Sequence, residues 1–367
     1  MLFEPYSEKG LKLKNRVVLA PMTRARNPDG VPNAMNALYY RQRAGAGLII
    51  TEGTAISPTS TGVLHIPGLY TAEQTEGWKL VTEAAHQEGS VIYTQLWHVG
   101  RVSHVTNQPG GIAPVSSSAI AAANSTAWAY DENGKENFVP CSPPRALSVE
   151  EIRQVVYDFA RAATNAVEAG FDGVELHGAN GYLIEQFLNP FINVRTDHYA
   201  GSIENRSRFL LETIDACIAA IGADRVAIRL TPYGGLYEMP HYDELEATYE
   251  YLARELEKRG VSYIHIMDQK SRGSFAIPDG FLKRFRSWYK GLIIFAGGLD
   301  KAKSEAYLSE GLIDLAGFGE PFIANPDLVE RLKSDWPLTE PERHLHYGGA
   351  EHGYVDYPVY QDLQTVR

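Results

Sequence analysis

Eight times along its 367 residues the chain follows a short β-branched or aliphatic run with a longer helical pattern. The runs are "RVVLAPM", "GLIITEG", "VIYTQLW", "GVELHG", "VAIRLTP", "YIHIMD", "LIIFAGG" and "DLAGFG". Between them lie stretches such as "TEGWKLVTEAAHQ", "VEEIRQVVYDFARAATNAVEA" and "DELEATYEYLAREL". A strand followed by a helix returns to its sheet in the same direction, so the alternation implies parallel strands with crossover helices. Eight such units fit a closed (β/α)8 TIM barrel better than an open doubly wound sheet. No linker or low-complexity segment divides the chain, so residues 1–367 read as one barrel domain.

Three parts fall outside the alternation. "FEPYSEKGLKLKN" reads as an N-terminal hairpin closing the barrel floor. The passage 99–147 is rich in Gly, Pro, Ser and Ala. Loops beyond about 12–15 residues usually carry function, so this one reads as a cap after strand 3, beside the site. The tail 337–367, with "HYGGAEHGYVDYP", reads as an ordered return across the barrel.

Composition narrows the partners. A net charge of −11, from 45 acidic and 34 basic residues, argues against nucleic acid and anionic lipid. Two cysteines, Cys141 and Cys217, make no disulfide framework and suit a reducing compartment. Cys217 reads as a core residue, whereas Cys141, in a Pro-rich loop, is expected to be exposed. "MLFEPYSEKG" lacks the pattern of a signal peptide, and no apolar stretch approaches the roughly 18 residues of a membrane span. The expected compartment is the cytoplasm.

Barrel chemistry sits where strands end. There, no H-E-x-x-H, paired C-x-x-C or acidic ligand spacing requests a metal. A G-x-S-x-G elbow is absent too, and "AGAGLII" precedes a strand where a dinucleotide fingerprint would follow one. What remains is glycine-rich: "FAGG" ends the seventh run and "FGEP" the eighth, the two loops that commonly cradle phosphate in barrels. Gln95 can address an imide edge, and Arg229 is a permanent cation. Each has a plainer reading: Gln95 as a satisfied interior amide, Arg229 as the partner of Glu52 or Asp268. Together with a phosphate cradle they suit a phosphorylated ring cofactor such as FMN.

"ELHGANGYL" at 175–183 leaves a strand and at once displays an imidazole, an amide and a phenol. With "RVVLAPMTR", "YTQLWHVGR", "RTDHYAGSIENRSRF" and "FIANPDLVERL", it resembles the old yellow enzyme family, in order over almost the whole chain. The resemblance implies an FMN-dependent ene-reductase of the N-ethylmaleimide and pentaerythritol tetranitrate reductase type. Such an enzyme takes hydride from NAD(P)H and reduces activated C=C bonds of enones, maleimides or nitroalkenes, and nitro or nitrate-ester groups besides. FMN is expected to bind tightly and non-covalently. Pro21, Met22, Thr23, Gly53, Gln95 and Arg229 would line its ring; Gly297, Gly298 and Gly319 would meet its phosphate. His177 and Asn180 would hold the substrate oxygen, Tyr182 would protonate the α-carbon, and Trp97 and Tyr347 would wall the pocket.

One residue departs from the family pattern. After "FG" at the eighth strand end an arginine usually meets the phosphate; here Glu320 stands in "GFGEPF". A carboxylate repels phosphate, so either Glu320 points away and only backbone amides bind, or Lys270, Arg272 or Lys301 compensates; FMN is still expected to bind, more weakly. Phe295, where smaller residues are frequent, raises the question of crowding. Two other readings follow: a family member acting on a quinone or another acceptor, and an FMN-free barrel, either an isomerase or lyase or a ligand-binding relative.

Overall fold

The computed structural model describes residues 1–8 and 10–360. Eight parallel strands close into a barrel: β1 (Val17–Leu19), β2 (Leu48–Ala55), β3 (Val91–Trp97), β4 (Gly173–Gly178), β5 (Val226–Leu230), β6 (Ile264–Met267), β7 (Ile293–Ala296) and β8 (Leu315–Phe318). Each lies beside its neighbour in the chain, and β8 pairs β1 to complete the ring. Around it run α1 (Ala34–Gln42), α2 (Ala72–Gln87), α3 (Val149–Glu168), α4 (Leu183–Leu188), α5 (Ile203–Ile221), α6 (Leu245–Arg259), α7 (Phe281–Trp288), α8 (Lys301–Ser309), α9 (Glu320–Ala324) and α10 (Leu328–Lys333). None of the described helices is long and apolar enough to cross a membrane.

The long helices begin where their caps place them. Ser148 Oγ accepts from Glu151 N while Glu151 Oε2 accepts from Ser148 N, a reciprocal box that opens α3. From there Ile152, Val155, Phe159, Ala162, Ala163 and Ala166 bury one stripe against the barrel. Phe295 belongs to this outer layer: its ring meets Tyr307 of α8 at 5.7 Å and does not crowd the mouth.

The floor is plugged by a hairpin of Tyr6–Glu8 and Leu11–Leu13. Tyr6, Leu11 and Leu13 pack with Val18, Leu48, Ile50, Tyr93, Ala227, Tyr263, Ile294 and Leu315, which point down the inside of the strands. At the other end, β2 shifts register against β3 between Ile50 and Gly53. Such irregularities re-aim side chains next to active sites. This one brings Gly53 opposite Gln95.

The excursion 99–147 folds into a hairpin (Thr126–Tyr130 with Glu136–Pro140) and a short parallel pair (Val115–Ser116 with Arg145–Ala146). Arg101, buried beneath it, donates from Nη2 to the carbonyls of Tyr237 (2.9 Å) and Glu238 (3.1 Å), tying the cap to the loop after β5. Cys141, expected to be exposed, is 8% exposed because the cap packs it with Trp97, Val99 and Val102. The tail returns over the first strand end. Arg24 donates to the carbonyls of His346 (3.0 Å) and Gly353 (2.8 Å), and Tyr354 stacks on Tyr39 at 4.2 Å. Residues 361–367 of that segment lie outside the described residues.

Candidate active site

Strand parity decides what enters the mouth. Two residues above the apolar floor, the inward positions become Gln95, Glu175, Arg229 and His265, and one step further Trp97 and His177. Gln95 donates from Nε2 to Glu175 Oε1 at 2.7 Å, and His265 Nδ1 pairs with Glu175 Oε2 at 2.9 Å. Glu175 and His265 are both fully buried. A carboxylate can only accept, so Gln95 must turn its carbonyl oxygen away from it, and His265 carries its proton on Nδ1. Burial keeps that imidazole neutral, with a lowered pKa, although Glu175 pulls the other way.

Arg229 shares this layer. Burial brings it down to about 10, which leaves it charged at neutral pH, with Glu175 the foremost charge sustaining it. It does not pair with Glu52 or Asp268. Glu52 accepts instead from the backbone N–H groups of Arg24 (2.9 Å) and Ala25 (3.0 Å), holding the turn that follows Thr23. Asp268 caps its own loop through the N–H of Lys270 (2.9 Å).

Above the layer stands an aromatic box. Trp97 and His177 stack at 5.8 Å, and Tyr182 meets each edge-on at 4.9 Å. A Cβ on Gly53 would lie 2.3 Å from the Trp97 ring, so glycine there makes room for the indole. Burial lowers the His177 pKa well below the usual range, helped by Arg229, and the ring is neutral. Burial raises Tyr182 well above 10, so the phenol keeps its proton. Its Oη donates to Tyr237 Oη across a long 3.4 Å.

The backbone leaves β4 through two left-handed residues, Asn180 (φ 57°) and Gly181 (φ 77°). Asparagine tolerates this conformation better than other side chains, and glycine adopts it freely. Asn180 N–H donates to Thr231 Oγ1 (2.9 Å), and Gly181 N–H to Glu185 Oε2 (2.6 Å). Asn180 and His177 are thereby brought to the same mouth as Tyr182 and Trp97.

FMN fits these residues. Among the described residues, His177 Nδ1, Trp97 Nε1, Arg229 Nε and His265 Nε2 are buried without a protein partner. Pro21 is buried, and Met22 and Thr23 are half-buried at the end of β1. Gly297 (φ 111°) presses on the Asp268 carbonyl, where a Cβ would lie at 2.2 Å, whereas a Cβ on Gly298 would find only Ser271, at 4.0 Å. The backbone at Gly298 is thus open to a group as large as phosphate. Gly319 packs beside Met22.

Of the cations weighed against Glu320, Lys301 is committed to Asp335 at 2.7 Å. The charge of Arg272 falls on Tyr182, Tyr237 and Tyr347. Lys270 is exposed, and so is Glu320, whose charge reaches His346 and Tyr347 of the tail. Tyr347 itself is 41% exposed, at the rim.

Sequence reasoning gave no role to Glu175, His265, Gln269 or Tyr237. For Glu175 a signal existed: it sits two residues before His177, on the same face of one strand. Tyr237 and Gln269 come from loops whose meeting no local pattern announces.

Residues 1–339 match the family model described as NADH:flavin oxidoreductase / NADH oxidase. The chain is 43% identical to 12-oxophytodienoate reductase 1 of Oryza sativa subsp. japonica over 368 residues, 99% of this chain and 94% of that protein. Morphinone reductase, a solved structure, shares 47% identity with a TM-score of 0.96, covering 98% of this chain and 96% of its own. The old yellow enzyme homologue from Zymomonas mobilis shares 35% identity with a TM-score of 0.92, over 98% of this chain and 99% of that one. The glutamate at 320 therefore marks a variation within the family and gives no support to an FMN-free barrel: the chain belongs to the NADH:flavin oxidoreductase / NADH oxidase family, the old yellow enzymes, and is an FMN-dependent NAD(P)H oxidoreductase that reduces C=C bonds.

Proposed function

We propose that the substrate is a small alkene activated by a carbonyl or nitro group, such as an enone, maleimide or nitroalkene, gripped by its oxygen between His177 and Asn180. One observation carries the reading: two neutral hydrogen-bonding side chains and a protonated phenol converge on one aromatic mouth, directly above a buried layer holding Gln95 and Arg229. FMN held there would supply the hydride chemistry, with NAD(P)H as the reductant.

The protein's own contribution is positioning and polarisation. Hydrogen bonds from His177 and Asn180 to the substrate oxygen draw electron density from the double bond and strengthen as negative charge gathers on that oxygen. Tyr182 holds its proton on Oη at neutral pH and delivers it to the α-carbon. Trp97 and Tyr347 confine a planar substrate. Arg229 would hold the ring of FMN with a fixed cation, which favours the reduced state, and Gln95 would offer it an amide oxygen. Pro21, Met22, Thr23 and Gly53 would complete the ring's site, and backbone N–H groups at Gly297, Gly298 and Gly319 would hold the phosphate. FMN is held tightly but without a covalent bond. Reductant and alkene use the same pocket in turn, a ping-pong cycle. The whole chain 1–367 works as one unit, in the cytoplasm, where two unpaired cysteines are at home.

A Tyr182→Phe variant tests the assignment. Flavin reduction by NAD(P)H should keep its rate, while enone reduction falls by about a hundredfold or more and nitroalkene reduction falls least. Stopped-flow absorbance of the two half-reactions separates these effects. Equal rates on every alkene would remove Tyr182 from the acid role.

A further inference from the structure

Gln269 opens the turn after β6 and is 2% exposed. Its Oε1 accepts two backbone N–H groups of the loop after β5, Gly235 at 2.9 Å and Leu236 at 3.2 Å. Its Nε2 donates to Asn180 Oδ1 at 2.9 Å. The two ends of an amide have nearly the same shape, so orientation must come from hydrogen-bonding logic. Here the logic is closed. Peptide N–H groups only donate, which fixes the Gln269 oxygen towards 235–236 and its nitrogen towards Asn180. Asn180 must then meet that nitrogen with its own oxygen. Its amino group is left facing the mouth, and none of the described residues accepts from it.

We propose that Gln269 is a positioning residue: it presents Asn180 to the substrate as a hydrogen-bond donor, and so restricts the gripped group to an oxygen acceptor. The inference rests on the reading that Asn180 touches the substrate. It also joins three strand ends, because the loop that Gln269 holds carries Tyr237, the neighbour of Tyr182. The donor to the oxygen and the wall beside the acid are set by one side chain.

Gln269→Glu tests this directly. A carboxylate accepts the Gly235 and Leu236 N–H groups as well as the amide does, so the loop stays held. It cannot donate, so Asn180 must turn its amino group towards the new carboxylate and its oxygen to the mouth, where it opposes the substrate oxygen. With FMN-loaded protein, calorimetric affinity for cyclohexanone, a saturated ketone that only accepts, should fall about tenfold or more. The kcat/KM for cyclohexenone should fall by a similar factor, while FMN content and melting temperature stay at wild-type values. In an Asn180→Ala background the same substitution should change cyclohexanone affinity less than about twofold. Unchanged affinity in the single variant overturns the inference. So does an equal loss in the Asn180→Ala background, which would mean that Gln269 acts by holding the loop alone. Should Gln269→Glu fail to fold, Gln269→Met frees Asn180 to turn either way; an affinity loss of about threefold that disappears with Asn180→Ala supports the inference, and no loss overturns it. Wild-type protein that binds FMN yet does not reduce cyclohexenone would instead sink the substrate reading, whatever the variants do.

Discussion

Two layers of one barrel interior, a single strand repeat apart, have opposite characters. Ile50, Tyr93, Ala227, Tyr263, Ile294 and Leu315 make the lower layer, closed from beneath by the hairpin. Two residues further along the same strands stand Glu52, Gln95, Arg229, His265, Ala296 and Gly317. The lower layer buries mainly apolar area and carries no charged side chain. The upper one, which also holds Glu175, pairs that glutamate with His265 Nδ1, keeps Arg229 charged beside it, and leaves Arg229 Nε, His265 Nε2 and Glu52 Oε1 without a protein partner. Unpaired buried polar groups are costly, and a fold retains them where a bound group completes them. The floor supplies the stability that the mouth spends.

The sharpest way to break that division is a cavity in the floor. Ile294 is fully buried. Ile294→Ala should cost about 2–5 kcal/mol, read as a lower denaturant midpoint at constant slope. The fraction that remains folded should keep wild-type kcat for an enone. A large fall in kcat at full FMN occupancy would show that the two layers are not separable.

The same layering explains what is legible in the sequence alone. Strand–helix alternation is a periodic signal spread over the whole chain, so the closed barrel and the strand ends followed from it. His177, Asn180 and Tyr182 were legible because one short stretch carries all three. The Glu175–Gln95–His265 chain joins three strands, and Gln269 joins three loops; their sense appears only when distant segments meet. Arg229 shows the ambiguity in its usual form. A lone interior arginine has several conceivable partners, and only packing shows that Glu175 is the foremost charge sustaining it while Glu52 and Asp268 are engaged by backbone N–H groups. The 99–147 cap was legible as an excursion but not as a hairpin with a buried anchor, because Arg101 finds its acceptors on another loop.

A second test asks what the mouth costs. Glu185 accepts from Gly181 N–H and from Thr231 Oγ1 (3.0 Å), supporting the turn that displays Asn180. Burial raises its pKa from an ordinary 4.5 to about 7. A carboxyl raised above its unfolded value binds its proton more tightly when folded. Folding is therefore least burdened near and below pH 4.5, and the penalty grows as pH rises towards 7. Glu185→Gln keeps an accepting oxygen and removes the charge. It should stabilise the protein by about 1–3 kcal/mol near pH 8 and have little effect near pH 5. Melting curves at the two pH values check this, and equal shifts at both would place the cost of the mouth elsewhere.

The smallest effect concerns the outermost part of the mouth, where the contrast between layers fades into solvent. Glu320 begins α9 beside Gly319 and is exposed. Exposed charges interact through water and are screened by salt, so even an unfavourable carboxylate near a phosphate costs little. FMN is held chiefly by the buried layer in this view, with backbone N–H groups sufficing for the phosphate. Glu320→Arg should then tighten FMN binding by only about two- to fivefold at low salt, and by less at about 0.5 M, where the Debye length is only a few ångströms. Fluorescence titration of apoprotein with FMN gives both numbers. A gain of a hundredfold would mean that the phosphate end, and not the buried layer, governs cofactor retention. Unchanged or weaker binding would show that Glu320 does not oppose the phosphate at all.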